Sequence, residues 1–350
     1  MKKISTFKLA ATYIGTVVGA GFATGQEILQ FFARFGINGV WGIALTTALF
    51  VLFGFIIMQL GFRLGARSHL EIIQFSGGKI LTFIMDAIIT FFLFGGLVAM
   101  IAGTGALFAQ QFGLSPIIGN LLMATITVLT VLTGIDGVIN AISAVVPFLL
   151  VSVLGISLFS ILATTPDLAT TAEVLDSGGL VRTWALAAIL YVSYNTVISV
   201  AVLGPLGARA SSERAIFGGA LLGGLGLGLG TMMIFLALRG NMTGIAGLEV
   251  PMSYIAGNIS RWVAILYAVI LIAEVYTTAV GGLFGFSARL AGKSRFRTRT
   301  IVIATGVAAL FASFLGFSNL VGILYPLVGY GGIVILICLI ISKFKLIKRK

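Results

Sequence analysis

Three carboxyl side chains lie in stretches of sequence that are otherwise built to exclude water. Glu274 falls near the middle of an apolar stretch at 257–290, Asp86 near the start of another at 80–111, and Glu27 near the end of a third at 7–33. An acid at the centre of a membrane helix costs about 2.5–3.5 kcal/mol on insertion scales, so each needs a compensating role. Thr277 and Thr278 follow Glu274 at i+3 and i+4, the spacing that places side chains on one helical face. Gly281 and Gly282 continue that face by one turn. A carboxyl beside two hydroxyls can hold a cation or exchange a proton, or it can meet a substrate amine. The competing reading is a protonated acid that bonds a neighbouring helix. Glu27 is read either on the substrate path or in an outer gate with Arg34 or Arg261, and Asp86 either on the pathway or in an interface ion pair with Lys79.

The second chemical feature is a run of glycines inside the first apolar stretch: Gly15, Gly19, Gly21 and Gly25, followed by Gln26 and Glu27. Their small-xxx-small spacing fits helix packing. The polar pair that follows, and a second polar run from Ser193 to Ser199, fit an unwound segment instead, which a bilayer tolerates only where it lines a cavity or packs on protein. An unwound segment leaves free amides at Gly19, Ala20, Gly21, Phe22 and Ala23, with partial positive charge for a substrate carboxylate. It also leaves free carbonyls near Gly15 and Val18 for a cation. The matching polar run would add Tyr194, Asn195, Thr196 and Ser199 as ligand contacts. The glycines from Gly223 to Gly230 have no polar companions and read as packing.

The elements that must position these groups are membrane helices. Of 350 residues, 59% are hydrophobic and 9% charged, and the mean hydropathy is +1.15. A soluble chain carries roughly a quarter charged residues. Ten stretches are long enough to span, at 7–33, 39–62, 80–111, 115–134, 138–163, 181–207, 214–238, 257–290, 299–318 and 320–342. The shortest divisions between them are at Gly134–Gly137 and at Gly316–Asn319. With the N-terminus in the cytoplasm, 18 of the 22 lysines and arginines fall inside and only Arg34, Arg182, Arg239 and Arg261 outside. That bias supports both the count and the orientation, with both termini cytoplasmic.

Five spans per half invert the second half relative to the first. The expected fold is an all-α polytopic membrane protein, a 5+5 inverted repeat with helices 1 and 6 discontinuous. The halves cover about 7–163 and 181–342 of a single transmembrane domain, followed by a basic tail at 343–350. The loop at 63–79 is expected to hold a short interfacial helix, 164–179 an acidic outer loop with Asp167, Glu173 and Asp176, and 239–257 an outer lid.

Other function classes lack raw material. One cysteine (Cys338) and one histidine (His69) leave no thiol metal site and no Ser-His-Asp triad, so no organic cofactor and no enzyme activity is expected. The net charge of +12 reads as loop lysines and arginines next to lipid rather than as a nucleic-acid surface.

Thr16-Val17-Val18-Gly19-Ala20-Gly21-Phe22-Ala23-Thr24-Gly25-Gln26-Glu27, with the inverted halves, resembles the amino acid–polyamine–organocation superfamily of LeuT-type fold, and within it the YkvI-like amino acid permeases. In that fold, discontinuous helices build the binding site near the bilayer midplane. The resemblance implies a symporter of an amino acid or similar small organic solute in a bacterial cell membrane. It also implies a sodium site at Gly15, Val18, Thr277 and Thr278, with Glu274 one turn away admitting proton coupling in its place. Relatives of this fold that act as germinant receptors leave a sensor that binds without transporting as the alternative.

Overall fold

The computed structural model describes residues 3–66, 68–133, 136–169, 180–291 and 295–348, the side chains of 69, 76, 77, 136–144, 291, 295–297, 347 and 348 excepted. The chain runs through α1 Thr6–Val17, α2 Ala20–Thr24, α3 Gln26–Phe31, α4 Ile37–Leu64, α5 His69–Phe112, α6 Pro116–Thr133 and α7 Asp136–Ala163. It continues through α8 Trp184–Ala208, α9 Glu213–Arg239, α10 Met242–Ile245, α11 Pro251–Ile259, α12 Arg261–Ala291, α13 Arg295–Ala312 and α14 Phe317–Lys348. Among the described residues nine helices are long and apolar enough to cross a membrane. The tenth pass is α1 to α3, too interrupted to qualify as one helix. Hydrogen bonding explains this all-helical solution, because a spanning segment must satisfy its own backbone.

The expected interfacial helix is the first part of α5, set off by Gly78 at φ 72°, after which Gly78–Phe112 spans. The expected division near Gly316 is present as a 3-10 turn, Ser313–Leu315, followed by Gly316 at φ 84°. The stretch at 257–290 is two helices, since Ser260 is extended and separates α11 from α12. The basic end is helical as far as described, α14 continuing to Lys348. Gly134, Ile135, Glu173, Asp176, Lys2, Arg67, Lys293, Arg349 and Lys350 lie outside the described residues, as does the side chain of His69.

The helices pack as two groups. α1, α4, α8 and α9 contact one another, as do α5, α6, α12 and α13, while α7 and α14 touch both groups. Small residues set the first group's spacing. A β-carbon at Gly61 would fall 2.0 Å from the Gly204 carbonyl oxygen, and one at Gly207 would fall 2.1 Å from that of Met58. Backbones this close admit no side chain between them. Gly223, Gly224 and Gly228 of α9 likewise face Tyr13, Val51 and Thr47, so this glycine run is packing as expected. The chain start is stitched to the end of α8: the Ile4 amide donates to the Arg209 carbonyl at 2.9 Å and the Ser211 amide to the Ile4 carbonyl at 3.1 Å.

At the opposite face, the 240–259 segment is strapped down. Gln110 of α5 exchanges two bonds with the Val250 backbone, at 2.8 and 3.1 Å, and Ser253 bonds Gln111 at 2.8 Å. Glu249 caps the start of α14 at the Phe317 and Ser318 amides. Burial nonetheless lifts its carboxyl above the ordinary range, against the lowering effect of those two amides.

Candidate functional site

The first span breaks where the glycines predict. α1 ends at Val17, Val18 and Gly19 are extended (φ −72°, ψ 115° and φ −135°, ψ −171°), and α2 begins at Ala20. Gly25 adopts φ 80° and starts α3. The Val18 amide caps the Ile14 carbonyl at 2.8 Å, and the Ala23 amide reaches Gly19 at 3.0 Å. Between them the Gly15, Thr16, Val17 and Val18 carbonyls and the Gly19, Ala20, Gly21 and Phe22 amides have lost their helical partners.

Span six does not break. α8 is continuous from Trp184 to Ala208, which corrects the expected discontinuity. The polar residues there are absorbed without unwinding. The Asn195 amide donates to the Tyr191 carbonyl one turn back at 2.9 Å, and the Ser193 hydroxyl donates to the Gly329 carbonyl of α14 at 2.6 Å. Once a helix is intact, its 3.6-residue period decides which side chains face the site. Tyr194 and Asn195 face it, whereas Thr196 and Ser199 are buried elsewhere.

A cavity of about 590 Å³ opens at the break, between the two helix groups. α1 and α2 supply Gly15 to Gly21 and α8 supplies residues between Tyr194 and Val202; α5 contributes Ile89 to Met100, and α12 Glu274 to Arg289. The volume is in the range of small-molecule sites. It runs toward the face where α1 begins and α8 and α12 end, and there Arg289 pairs with Asp86. Asp86 therefore answers Arg289 rather than Lys79. Away from that face the space is filled by buried rings: Tyr191 lies 5.4 Å from Phe31, 5.0 Å from Phe32 and 6.0 Å from Phe50, centroid to centroid.

The cation set comes together: Gly15, Val18, Glu274, Thr277 and Thr278 all line the cavity. The Thr277 hydroxyl is committed to the Glu274 carbonyl at 2.9 Å. Glu274 is 4% exposed, and its Oε2 has no hydrogen-bond partner among the described residues. A buried carboxyl oxygen without a partner is costly unless something else completes it.

Glu27 also lines the cavity, and among the described residues it pairs with neither Arg34 nor Arg261. Tyr194 donates its hydroxyl to Glu27 Oε2, while Arg34 is spent on the Val181 carbonyl and the face of Phe35. The other Glu27 oxygen leans on the first turn of α2, where a β-carbon at Gly21 would meet it at 1.9 Å. Glycine at 21 is thus what lets the carboxyl fold back over the break. Of the expected substrate contacts, Gly19, Ala20, Gly21, Tyr194, Asn195 and Glu274 line the cavity. Phe22 and Ala23 turn away, Phe22 packing near Gly230 and the Ala23 carbonyl accepting from the Tyr267 hydroxyl. Phe92, Tyr325 and Arg289 complete the wall, and each is remote in sequence from the motif. The one sequence signal for Arg289 is that it lies about four turns from Glu274 along the same helix.

The arrangement is that of a LeuT-type fold. The inward-facing conformation of Mhp1 superposes with a TM-score of 0.66 at 15% identity, over 89% of this chain and 70% of that one. Its closed conformation, with bromovinylhydantoin bound and described as a nucleobase–cation–symport-1 family transporter, gives 0.58 at 16% identity, over 89% and 71%. MhsT in complex with L-phenylalanine gives 0.55 at 19% identity, over 93% and 82%. No protein-family model matches the chain. It is 32% identical over 332 residues to YkvI, a membrane protein of Bacillus subtilis (strain 168), covering 94% of this chain and 93% of that protein. The chain belongs to the YkvI family.

Proposed function

We propose that this protein is a secondary active transporter of an amino acid or similar small organic solute, driven by a sodium or proton gradient through alternating access. It is further read as a single transmembrane domain of two inverted halves, within the amino acid–polyamine–organocation superfamily, with both termini cytoplasmic. The observation that carries the reading is the one-sided cavity at the break of the first span, holding a Glu274 oxygen with no partner among the described residues, beside Thr278 and the loosened carbonyls of α1. A site open to one face and sealed from the other by buried rings is one stage of an alternating-access cycle. The better superposition on inward-facing than on closed Mhp1 supports assigning it to the inward-open stage.

In this cycle the coupling ion, sodium or a proton, completes Glu274. The substrate occupies the space between α2 and α8. Closure then brings α1 and α8 against α5 and α12, and the rings around Tyr191 separate. Uptake into proteoliposomes under imposed sodium and pH gradients tests this. Glu274→Gln is expected to change the ion dependence and to lower gradient-driven uptake at least tenfold. Uptake with wild-type magnitude and wild-type sodium and pH response would overturn the role of Glu274. Tight binding with no accumulation under any gradient would overturn transport.

A further inference from the structure

The first span leaves the helix a second time at Gly25, and the carbonyls that end α2 must be completed from elsewhere. Those of Gly21 and Phe22 are completed locally, the first by the Thr24 hydroxyl at 2.9 Å and the second by the Gly25 amide at 3.1 Å. The Ala23 carbonyl is not. Its partner in an unbroken helix would be the Glu27 amide, and Gly25 at φ 80° turns the chain aside before that amide arrives. The donor is instead the Tyr267 hydroxyl, which comes from α12, 244 residues further on. Ala23 and Tyr267 are both buried, so neither group has water to fall back on.

That bond crosses between the two helix groups. α2 is part of the first span, whose α1 packs with α8 and α9, whereas α12 packs with α5, α6 and α13. Tyr267 lies about two turns before Glu274 along α12, on the side of the cavity away from its mouth. A second contact holds the same joint. Met252 of α11 packs on Gly25, its Cγ 2.8 Å from where a β-carbon would stand. α11 is in turn tied to α5 through Gln110 and Gln111. Separating the groups on the sealed side would part both contacts. It would also admit water to the Ala23 carbonyl, so the hydroxyl contributes more to the sealed arrangement than to the open one. A two-state equilibrium responds to such a difference in contacts.

We infer that the Tyr267 hydroxyl on the Ala23 carbonyl is a latch on the sealed side of the cavity, holding the jointed first span against α12 and setting how often that side opens. The inference rests on the transporter reading of the same cavity and goes beyond it by naming a contact that biases one face against the other. Tyr267 touches no ligand in this role; it is a positioning residue that acts through the backbone of α2.

The test measures the gap between the groups at the sealed face by double electron–electron resonance. Spin labels are placed at Arg182→Cys, just before α8, and at Arg261→Cys, at the start of α12, both exposed positions. The full-length protein carries Cys338→Ser as well, because Cys338 is its one native cysteine. Tyr267→Phe keeps the ring and removes the donor, and is expected to raise the long-distance population roughly fivefold or more. Thr130→Val controls for the mere loss of a bond. It removes the partner of Tyr276, another α12 hydroxyl, at 2.7 Å, but that bond runs to α6 within one group, so the distances are expected to stay as in the wild type. Met252→Ala is expected to move the distribution in the same direction as Tyr267→Phe, by less, and becomes the deciding variant if Tyr267→Phe does not fold. The inference is overturned if the deciding variant gives the wild-type distribution, or if Thr130→Val moves it as far. Gradient-driven uptake with an unshifted distribution sinks the latch and leaves transport standing. A shifted distribution in a protein that accumulates no solute under any gradient does the reverse.

Discussion

The first span and α8 carry similar amounts of polarity, yet only one of them breaks. α8 packs Ser193, Tyr194, Asn195, Thr196 and Ser199 into seven residues and stays helical through them. The first span, with Thr16, Thr24, Gln26 and Glu27 among its glycines, leaves the helix twice, at Val18–Gly19 and at Gly25. The difference lies in what each residue type asks of the backbone. A hydroxyl or amide can be satisfied by a carbonyl one turn back or on a neighbour, as Asn195 and Ser193 are, and no backbone bond is given up. Glycine removes the side chain that favours helix and permits conformations such as φ 80° at Gly25. Polarity in a membrane helix therefore marks where groups meet, and glycine marks where the chain turns aside.

Substitutions can break that comparison or sharpen it. The largest expected effect is Thr196→Pro, which removes a helical bond in α8 and costs about 3 kcal/mol or more, seen as lost thermal stability or lost folded yield. If α8 were broken in solution, the same change would be mild. Gly25→Ala comes next, since both the left-handed φ and a Met252 side-chain carbon 2.8 Å from the new methyl oppose it; roughly 2–4 kcal/mol is expected from denaturation. Gly21→Ala is expected to expel the Glu27 carboxyl and abolish ligand binding. Stability, though not binding, should return in the Gly21→Ala, Glu27→Ala double variant, and additive losses in that cycle would refute the contact.

Gly19→Ala separates folding from function. Its φ is open to any residue and nothing lies within 4 Å of the added methyl, so stability should be unchanged while the methyl fills cavity space and weakens ligand binding several-fold. The smallest effect is Ser193→Ala, about 1 kcal/mol for the lost bond to Gly329. Hydrogen exchange read by mass spectrometry compares the two spans directly. Peptides covering 18–22 should exchange faster than those covering 193–199, and equal protection would contradict a break in one span alone.

The fold was legible in the sequence because its signals are local. Apolar run length fixes a span, and the divisions near Gly316 and around Thr133 follow from short breaks in that run. The first half of the site was legible for the same reason: Gly15, Val18, Gly19 and Glu27 occupy one stretch, and Glu274, Thr277 and Thr278 one helical face. What the sequence hid depends on contacts between distant segments. Nothing near Asp86 announces Arg289, which arrives from 203 residues away. Nothing near Glu27 announces Tyr194, which closes over it from α8. The break expected in α8 failed because the partners that keep it helical, such as the Gly329 carbonyl, lie 136 residues further on.

The stitch between Ile4 and the 209–211 segment has a mechanical consequence. α8 is one rod of 25 residues, about 37 Å long, and its far end begins three residues after Val181, whose carbonyl accepts from Arg34 just past the end of the first span. The residues flanking the first span are thus tied to the residues flanking that rod at both ends, while the span is jointed in its own middle. A jointed limb fixed to a stiff lever at two points can change its angle at the joint only as the lever tilts. In the proposed transport cycle, opening on one face and closing on the other would then be a single motion, with Val18–Gly19 as the elbow.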